Sequence, residues 1–186
     1  MMRVGEGVPD AVAIAGIPGS GKSTLAAGLS DRLGWPVLST GDIARKIDPA
    51  SIAAGGVADP PAFARAFLAA YREAKPGAGT LILDGIPRYR EQIDLLPERT
   101  VLIGLTCRPD IAIERQIRRA RPGDDDVETV RFRTNTQAGL LEVDIADGWL
   151  YRLAGWGAVV NTSRDLPDVI TAQVVAYLTG QKKQAF

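Results

Sequence analysis

The chain contains no histidine and a single cysteine among its 186 residues. Without histidine there is no Ser-His-Asp triad, no histidine-ligated metal site and no imidazole to carry protons near neutral pH. The one cysteine, Cys107, excludes an intrachain disulfide, so the cysteine content does not imply an oxidising compartment. We expect Cys107 to be a buried core thiol. Any reaction that this protein catalyses must work without these groups.

Excess charge and long apolar runs are also missing. Lys plus Arg and Asp plus Glu both number 22, a balance that argues against general binding to nucleic acid or membranes. No segment approaches the roughly 20 apolar residues of a membrane span, and the N-terminus lacks the apolar core and cleavage site of a signal peptide. We expect a cytoplasmic monomer, and the length predicts one domain.

Short apolar runs alternate with segments of helical periodicity, which is typical of α/β proteins. The apolar runs predict five strands, at residues 11–16, 35–40, 79–85, 100–107 and 157–162. The periodic segments predict helices at residues 22–34, 60–77, 110–120, 127–153 and 166–179. Helical crossovers imply a parallel sheet with both faces covered, and ligands bind such a sheet beyond the carboxyl ends of its strands.

The stretch GIPGSGKST, residues 16–24, joins the first predicted strand to the first helix and matches the phosphate-binding pattern G-x-x-x-x-G-K-[ST]. Its glycines let backbone N–H groups turn toward a β-phosphate, and the start of the helix adds positive potential. We expect Lys22 to reach the β- and γ-phosphates of a nucleoside triphosphate and the Ser23 hydroxyl to ligate Mg²⁺. The predicted ATP-binding residues of this P-loop are Gly16, Pro18, Gly19, Ser20, Gly21, Lys22, Ser23 and Thr24.

Two further stretches, LSTGDIAR (38–45) and LILDGIPRYREQ (81–92), each follow an apolar strand and carry an arginine just past the turn. Arg45 and Arg88 are suited to bidentate capture of a second phosphate beside the P-loop. Asp84 is placed to hold Mg²⁺, directly or through water. The alternative is that Asp84 is a strand-end turn residue and that both arginines are solvated surface charges.

Three ordered stretches, GIPGSGKST, LSTGDIAR and DGIPRYREQ, resemble the signature motifs of adenylate kinases and related nucleoside monophosphate kinases. The later CRPDIAIERQIRR, DDDVETVRFR and WGAVVNT are similar to that family's helix into the lid, its D-D-x-x-E-T-x-x-x-R stretch and its last strand. The resemblance implies a three-layer α/β/α P-loop NTPase fold with a five-stranded parallel sheet. It implies one kinase domain over residues 1–186, with the core at 11–42, 79–114 and 127–180, an acceptor-binding segment at about 43–75 and a short lid at about 115–126.

On the acceptor side, the resemblance implies that Arg45 and Arg88 hold the α-phosphate of a nucleoside monophosphate. Gly85 lets the backbone approach the acceptor, whereas Thr40 and Gln92 face its base. A carboxamide can donate to one edge atom of adenine and accept from its amino group, which favours AMP or dAMP.

On the donor side, the resemblance implies that Arg115 lies near the donor nucleotide and that Arg119 and Arg133 close onto the transferring phosphates. Mg²⁺ is the implied cofactor and ATP the implied donor. The implied catalytic residues are Lys22, Arg88, Arg119 and Arg133, and the implied metal ligands are Ser23 and Asp84.

The chain departs from the family pattern in three places. The acceptor-binding segment is shorter than usual, and the lid ARPGDDD leaves no room for a zinc-binding or β-rich insertion. A lid arginine of the family aligns with Pro122, and the neighbouring Arg121 is the candidate to replace it. We expect Trp149, Tyr151 and Trp156 to pack the core.

The predicted function is transfer of the γ-phosphoryl group of Mg-ATP to a nucleoside monophosphate, with small-molecule nucleotides as partners. An alternative keeps the kinase but changes the acceptor to a modified nucleotide, a deoxynucleotide or a non-nucleotide metabolite, with Tyr89 and Arg90 shaping the pocket. A third interpretation is an ATP-binding regulatory protein without turnover, although such a protein need not keep the whole set of phosphate-binding groups.

Overall fold

The fold is a parallel sheet of five strands between two layers of helices, in a computed structural model that describes residues 8–75, 79–120, 124, 126–146 and 157–180. The strands are β1 (Ala11–Gly16), β2 (Val37–Ser39), β3 (Leu81–Asp84), β4 (Thr100–Thr106) and β5 (Gly157–Asn161). They pair in the order β2-β3-β1-β4-β5, all in parallel. Each strand lies inside its predicted range, which confirms the predicted α/β class and the five-stranded sheet.

The helices α3 and α4 begin where proline and a capping aspartate occur together. Pro60 occupies the first turn of its helix, and the Asp59 side chain accepts a hydrogen bond from the backbone N–H of Ala62. The helices are α1 (Lys22–Leu33), α2 (Thr40–Ile47), α3 (Pro49–Ala53), α4 (Pro60–Ala74), α5 (Pro109–Arg119), α6 (Val127–Ala146) and α7 (Pro167–Leu178), with a 3₁₀ helix at Arg90–Leu95.

The predicted helix at 127–153 is described as far as Ala146, and its remainder, with Trp149 and Tyr151, lies outside the described residues, as do Trp156, Arg121 and Pro122. The helices α2 and α3 and the 3₁₀ helix were not predicted as elements. None of the helices in the described part of the chain is both long and apolar enough to cross a bilayer.

Two apolar clusters, one on each face of the sheet, hold the layers together. Alternate β1 residues face opposite sides, so Val12 and Ile14 belong to one cluster and Ala13 to the other. Leu25 and Leu29 of α1 and Ile170 and Val174 of α7 cover the first face. Ala44 of α2 and Phe63 and Phe67 of α4 cover the second. The arrangement confirms the predicted three layers.

The sheet register places the carboxyl ends of β1, β2 and β3 side by side. Asp84, the last residue of β3, is paired with Ser39 of β2 on one side and Ile14 of β1 on the other. The chain continues from these ends into the P-loop, into α2 at Thr40 and into the turn at Gly85. The three motif-bearing stretches are therefore neighbours in space.

Candidate active site

The P-loop lies between β1 and α1 and depends on glycine at its tightest points. Gly19 has φ 81° and Gly21 has φ 95°, in the left-handed region that side chains disfavour. A Cβ at Gly19 would lie 2.2 Å from the carbonyl oxygen of Ala112 in α5, so only glycine fits there. Gly21 makes no side-chain cap to α1, which leaves the positive end of the helix available to an anion.

Lys22 is folded back onto the loop that precedes it. Its Nζ donates hydrogen bonds to the carbonyl oxygens of Gly16 and Ile17, both at 2.8 Å. Burial and the nearby Arg88 lower the pKa of Lys22 to about 7, and Asp84 opposes that shift. A bound polyphosphate would add negative charge beside this half-buried ammonium and raise its pKa.

Ser23 and Asp84 converge beside Lys22. The Ser23 Oγ donates to the Asp84 Oδ2 at 2.7 Å, across 61 residues of sequence. A hydroxyl and a carboxylate are oxygen ligands of the kind that Mg²⁺ takes while it keeps waters and binds substrate phosphates. The described residues include no group of three or more acidic, histidine or cysteine side chains that could hold a metal alone. This pair fits a magnesium ion shared with a nucleotide.

Gly85 lies between Lys22 of the P-loop and Arg88, the arginine that is predicted to hold the acceptor. Its φ is 95°, and a Cβ there would lie 2.9 Å from the Thr40 Oγ1, 3.7 Å from the Arg88 Nη2 and 3.9 Å from the Lys22 Cε. The P-loop lysine and the acceptor-side arginine thus flank the same backbone turn. Even a single methyl group at this position would clash with the Thr40 hydroxyl, so glycine is required where these groups meet.

The two acceptor-side arginines are held in different ways. Arg88 is half-buried, and its Nε donates to the Gly85 carbonyl oxygen at 3.2 Å. Burial lowers the pKa of Arg88, an effect that Asp84 opposes and Arg45 strengthens. Arg45 is exposed and pairs with Asp42 at 2.5 Å on the same face of α2. The structure therefore brings both guanidiniums to one side of the cleft.

Thr40 and Gln92 are both buried and hydrogen-bonded to the backbone of the Gly85 turn. The Thr40 hydroxyl donates to the Asp84 carbonyl oxygen at 2.8 Å. The Gln92 Oε1 accepts from the Arg88 backbone N–H at 2.7 Å. In this structure both side chains shape the acceptor turn, and a role in reading the base remains a prediction.

Arg119 and Arg133 share one buried carboxylate. Arg119 contacts the Asp124 Oδ2 through Nε at 3.1 Å and Nη2 at 2.8 Å, and the Arg133 Nη2 contacts the Oδ1 at 2.6 Å. Burial alone would raise the Asp124 pKa, but the hydrogen bonds from both arginines bring it below its usual value. The positive charge of Arg119 contributes to the lowered pKa of Lys22, and that of Arg133 to the lowered pKa of Arg88, so the predicted catalytic cations lie in one region.

Gln116 is a member of the site that sequence reasoning missed. It is fully buried, and it contacts Pro18 of the P-loop and Arg133 and Thr134 of α6. A single glutamine inside an Arg-rich helix has no distinguishing pattern in the sequence. Only its burial and its contacts reveal the position.

A cavity of about 360 Å³ opens beside the P-loop, next to the loop that follows β5. Arg115 borders it, and the Arg115 Nη2 donates to the Thr162 carbonyl oxygen at 2.7 Å. The cavity is lined by Ser20, Gly21, Thr24, Leu25, Leu105, Arg115, Thr162, Arg164, Asp165, Leu166, Pro167 and Ile170. Of the predicted ATP-binding residues, the structure places Ser20, Gly21, Thr24 and Arg115 at one cavity wall.

The expectation that Cys107 is a buried core thiol is wrong. Cys107 is half-buried and comes directly after Thr106, the last residue of β4, so it lies just beyond the end of the sheet. Its Sγ accepts from the Arg115 Nη1 at 3.5 Å. The thiol thus contacts a cavity-lining arginine instead of the apolar core.

Comparison with known proteins gives a family match and several similar relatives. Residues 15–131 match the protein family described as AAA domain. Adenylate kinase of Corynebacterium glutamicum (strain R) is 36% identical, over 64% of this chain and 75% of its own length. Adenylate kinase 1 of Synechocystis sp. is 33% identical, over 83% of this chain and 94% of its own, and adenylate kinase of Renibacterium salmoninarum is 29% identical, over 90% and 95%. The chain therefore belongs to the adenylate kinase family of P-loop proteins and is a nucleoside monophosphate kinase.

Proposed function

We propose that the protein transfers the γ-phosphoryl group of Mg-ATP to AMP or dAMP. The observation that carries this proposal is the turn at Gly85, which Lys22 of the P-loop and Arg88 of the acceptor side flank within 4 Å of the missing Cβ. A protein that only hydrolysed ATP would need no second phosphate cradle there. The relatives with the printed name adenylate kinase support adenine as the acceptor base.

The donor half of the proposed reaction uses the P-loop amides and Lys22 to hold the phosphates of ATP. Ser23 and Asp84 would hold Mg²⁺, which when bound neutralises charge on the β- and γ-phosphates. The cavity beside Thr24 and Arg115 would take the donor base. Lys22 would then exchange its hydrogen bonds to the Gly16 and Ile17 carbonyl oxygens for bonds to the phosphate oxygens.

The acceptor half needs orientation more than proton transfer. The acceptor phosphate is already an ionised nucleophile at neutral pH, so a chain without histidine lacks nothing that this step requires. Arg45 and Arg88 would hold that phosphate in line, while Arg119 and Arg133 stabilise the charge on the moving phosphoryl group. Thr40 and Gln92 would set the turn that faces the acceptor base.

An ADP-release assay tests the proposal directly. Mg-ATP is mixed with AMP, dAMP, GMP, CMP, UMP or dTMP, and a sample without acceptor gives the rate of hydrolysis. We expect release with AMP or dAMP to exceed that control by more than about a hundredfold. Faster release with a different monophosphate would keep the kinase and overturn the adenine assignment. Release at the control rate with all six would overturn the proposed acceptor class.

A further inference from the structure

The side chain of Gln116 joins three elements around the P-loop. Its Nε2 lies 3.2 Å from the Pro18 carbonyl oxygen, 2.8 Å from the Thr134 Oγ1 and 3.2 Å from the Ala112 carbonyl oxygen within α5. Its Oε1 accepts from the Arg133 Nη2 at 2.7 Å. Both ends of the carboxamide are therefore used, one toward the P-loop and one toward α6.

A buried carboxamide is costly unless it is hydrogen-bonded, and the same helix face otherwise buries Ala112. An apolar side chain would fill the position without that cost. The hydrogen bonds of Gln116 therefore indicate a structural role for its carboxamide. They fix the distance between the P-loop, at Pro18, and Arg133 of α6.

Arg133 depends on this bridge because its other anchor is shared. Asp124 holds the Arg133 Nη2 at 2.6 Å, but the same carboxylate also holds Arg119. The Arg133 Nε is buried and has no hydrogen-bond partner among the described residues. With Gln116 removed, a single shared carboxylate would have to orient the guanidinium.

We propose that Gln116 is a positioning residue for phosphoryl transfer, which ties the Arg133 guanidinium to the P-loop and keeps it aligned with the donor phosphates. This inference rests on the proposed role of Arg133 at the transferring phosphates. Gln116 acts through Arg133 and touches no substrate.

A double-mutant cycle between Gln116 and Arg133 tests this inference. We expect Gln116→Met to lower kcat by about ten- to a hundredfold, because a misplacement of about 1 Å at a transfer site has an effect of that size. KM for ATP and for the acceptor should each change by less than about threefold. In an Arg133→Met background, the same Gln116→Met change should lower kcat by less than about twofold.

The variant Gln116→Glu keeps an oxygen for Arg133 but cannot donate to Pro18. We expect its kcat to lie between those of the wild type and Gln116→Met, again with little further effect in the Arg133→Met background. If Gln116→Met does not fold, the cycle is run with Gln116→Glu and is read in the same way. The acceptor used is whichever monophosphate gives the fastest ADP release, so the cycle does not depend on the adenine assignment.

Thr80→Val is the matched control, because Thr80 is fully buried and its hydroxyl donates to the Pro9 carbonyl oxygen at the opposite edge of the sheet. We expect it to lower Tm without changing kcat.

Three outcomes would contradict the inference. If Arg133→Met lowers kcat while Gln116→Met leaves kcat unchanged, Gln116 has no positioning role, although the role of Arg133 stands. A normal kcat in Arg133→Met would overturn the proposed role of Arg133 and this inference with it. A full effect of Gln116→Met in the Arg133→Met background would show that Gln116 does not act through Arg133.

Discussion

Individual side chains divide the site into a donor half and an acceptor half. Lys22 contacts the P-loop carbonyl oxygens, and Arg88 contacts the carbonyl oxygen of Gly85, so each cation belongs to a different strand end. We expect Lys22→Ala to lower kcat by about 10²–10³-fold, since it removes charge stabilisation of the transferred group. We expect Arg88→Ala to raise the KM of the acceptor by about ten- to a hundredfold, because it removes a charge-assisted hydrogen bond whose free energy corresponds to a change of that size.

Titration calorimetry with ATP and steady-state kinetics with varied acceptor separate these two effects. Arg131→Ala is the control, because Arg131 is exposed on α6 and pairs with Glu128. That variant should keep wild-type kcat and KM. An equal loss of ATP affinity in Lys22→Ala and Arg88→Ala would contradict the division of labour.

Residues with a local pattern could be predicted from the sequence, and residues without one could not. Lys22 and Ser23 follow from the P-loop spacing, and Asp84 from its place at the end of an apolar run; the hydrogen bond between Ser23 and Asp84 agrees with their predicted pairing. Gln116 escaped prediction because its role depends on contacts 98 residues away in sequence, at Pro18. Cys107 was misplaced because its position relative to the sheet edge depends on one residue at the end of β4.

At the scale of elements, Asp124 fastens α5 to α6 through Arg119 and Arg133. We expect Asp124→Asn to lower the free energy of unfolding at pH 7 by about 1–3 kcal/mol, because the carboxylate accepts charge-assisted hydrogen bonds. The pKa of Asp124 is below its ordinary value in the folded protein. Its contribution to stability is therefore complete above about pH 5 and is lost as the pH falls through the lowered folded pKa.

Urea denaturation of both proteins at pH 7, 5 and 3 measures this dependence. The difference between wild type and Asp124→Asn should be largest at pH 7 and shrink toward pH 3. Asp110→Asn is the control, because Asp110 pairs with Arg108 at the exposed start of α5 and should change stability little. A difference that grows as the pH falls would contradict the role of the Asp124 carboxylate.

Strands and long helices could be predicted because their periodicity extends over several residues, as in α1 and α4. The short elements could not. The helix α2 begins at Thr40, directly after the last residue of β2, so no turn residues separate the two elements in the sequence. Its cap is Ser39, whose hydroxyl accepts from the Asp42 backbone N–H, a signal that a strand end obscures. The helix α3 has only five residues, too few for a helical period.

Over the whole molecule the charges cancel, 22 against 22, while cations gather at one cleft. Because there is no net charge to attract anions at long range, the attraction of nucleotides must come from the local cluster of cations. We expect an increase in NaCl from 50 to 500 mM to raise the KM of the acceptor severalfold and to leave kcat within about twofold, since the exposed Arg45 is screened far more than a buried group.

Kinetics of the wild type and of Arg45→Ala at both salt concentrations check this expectation. The variant should have a higher KM at low salt and a weaker dependence on salt. A KM that does not respond to salt in the wild type would show that the exposed arginine adds no electrostatic attraction.

For protein engineering, the contact between Gly19 and Ala112 sets where the predicted short lid can be exchanged. Because the P-loop rests on α5 with no space for even a methyl group, the first turn of that helix cannot be moved without disturbing the nucleotide loop. Ala120 ends α5 with φ 49°, and Asp124 begins the contacts to the following helix. A longer lid can therefore be grafted between these two residues, with glycine in place of Ala120 to favour the turn. A graft that reaches Gln116 or Ala112 would disturb the P-loop, because both residues contact it.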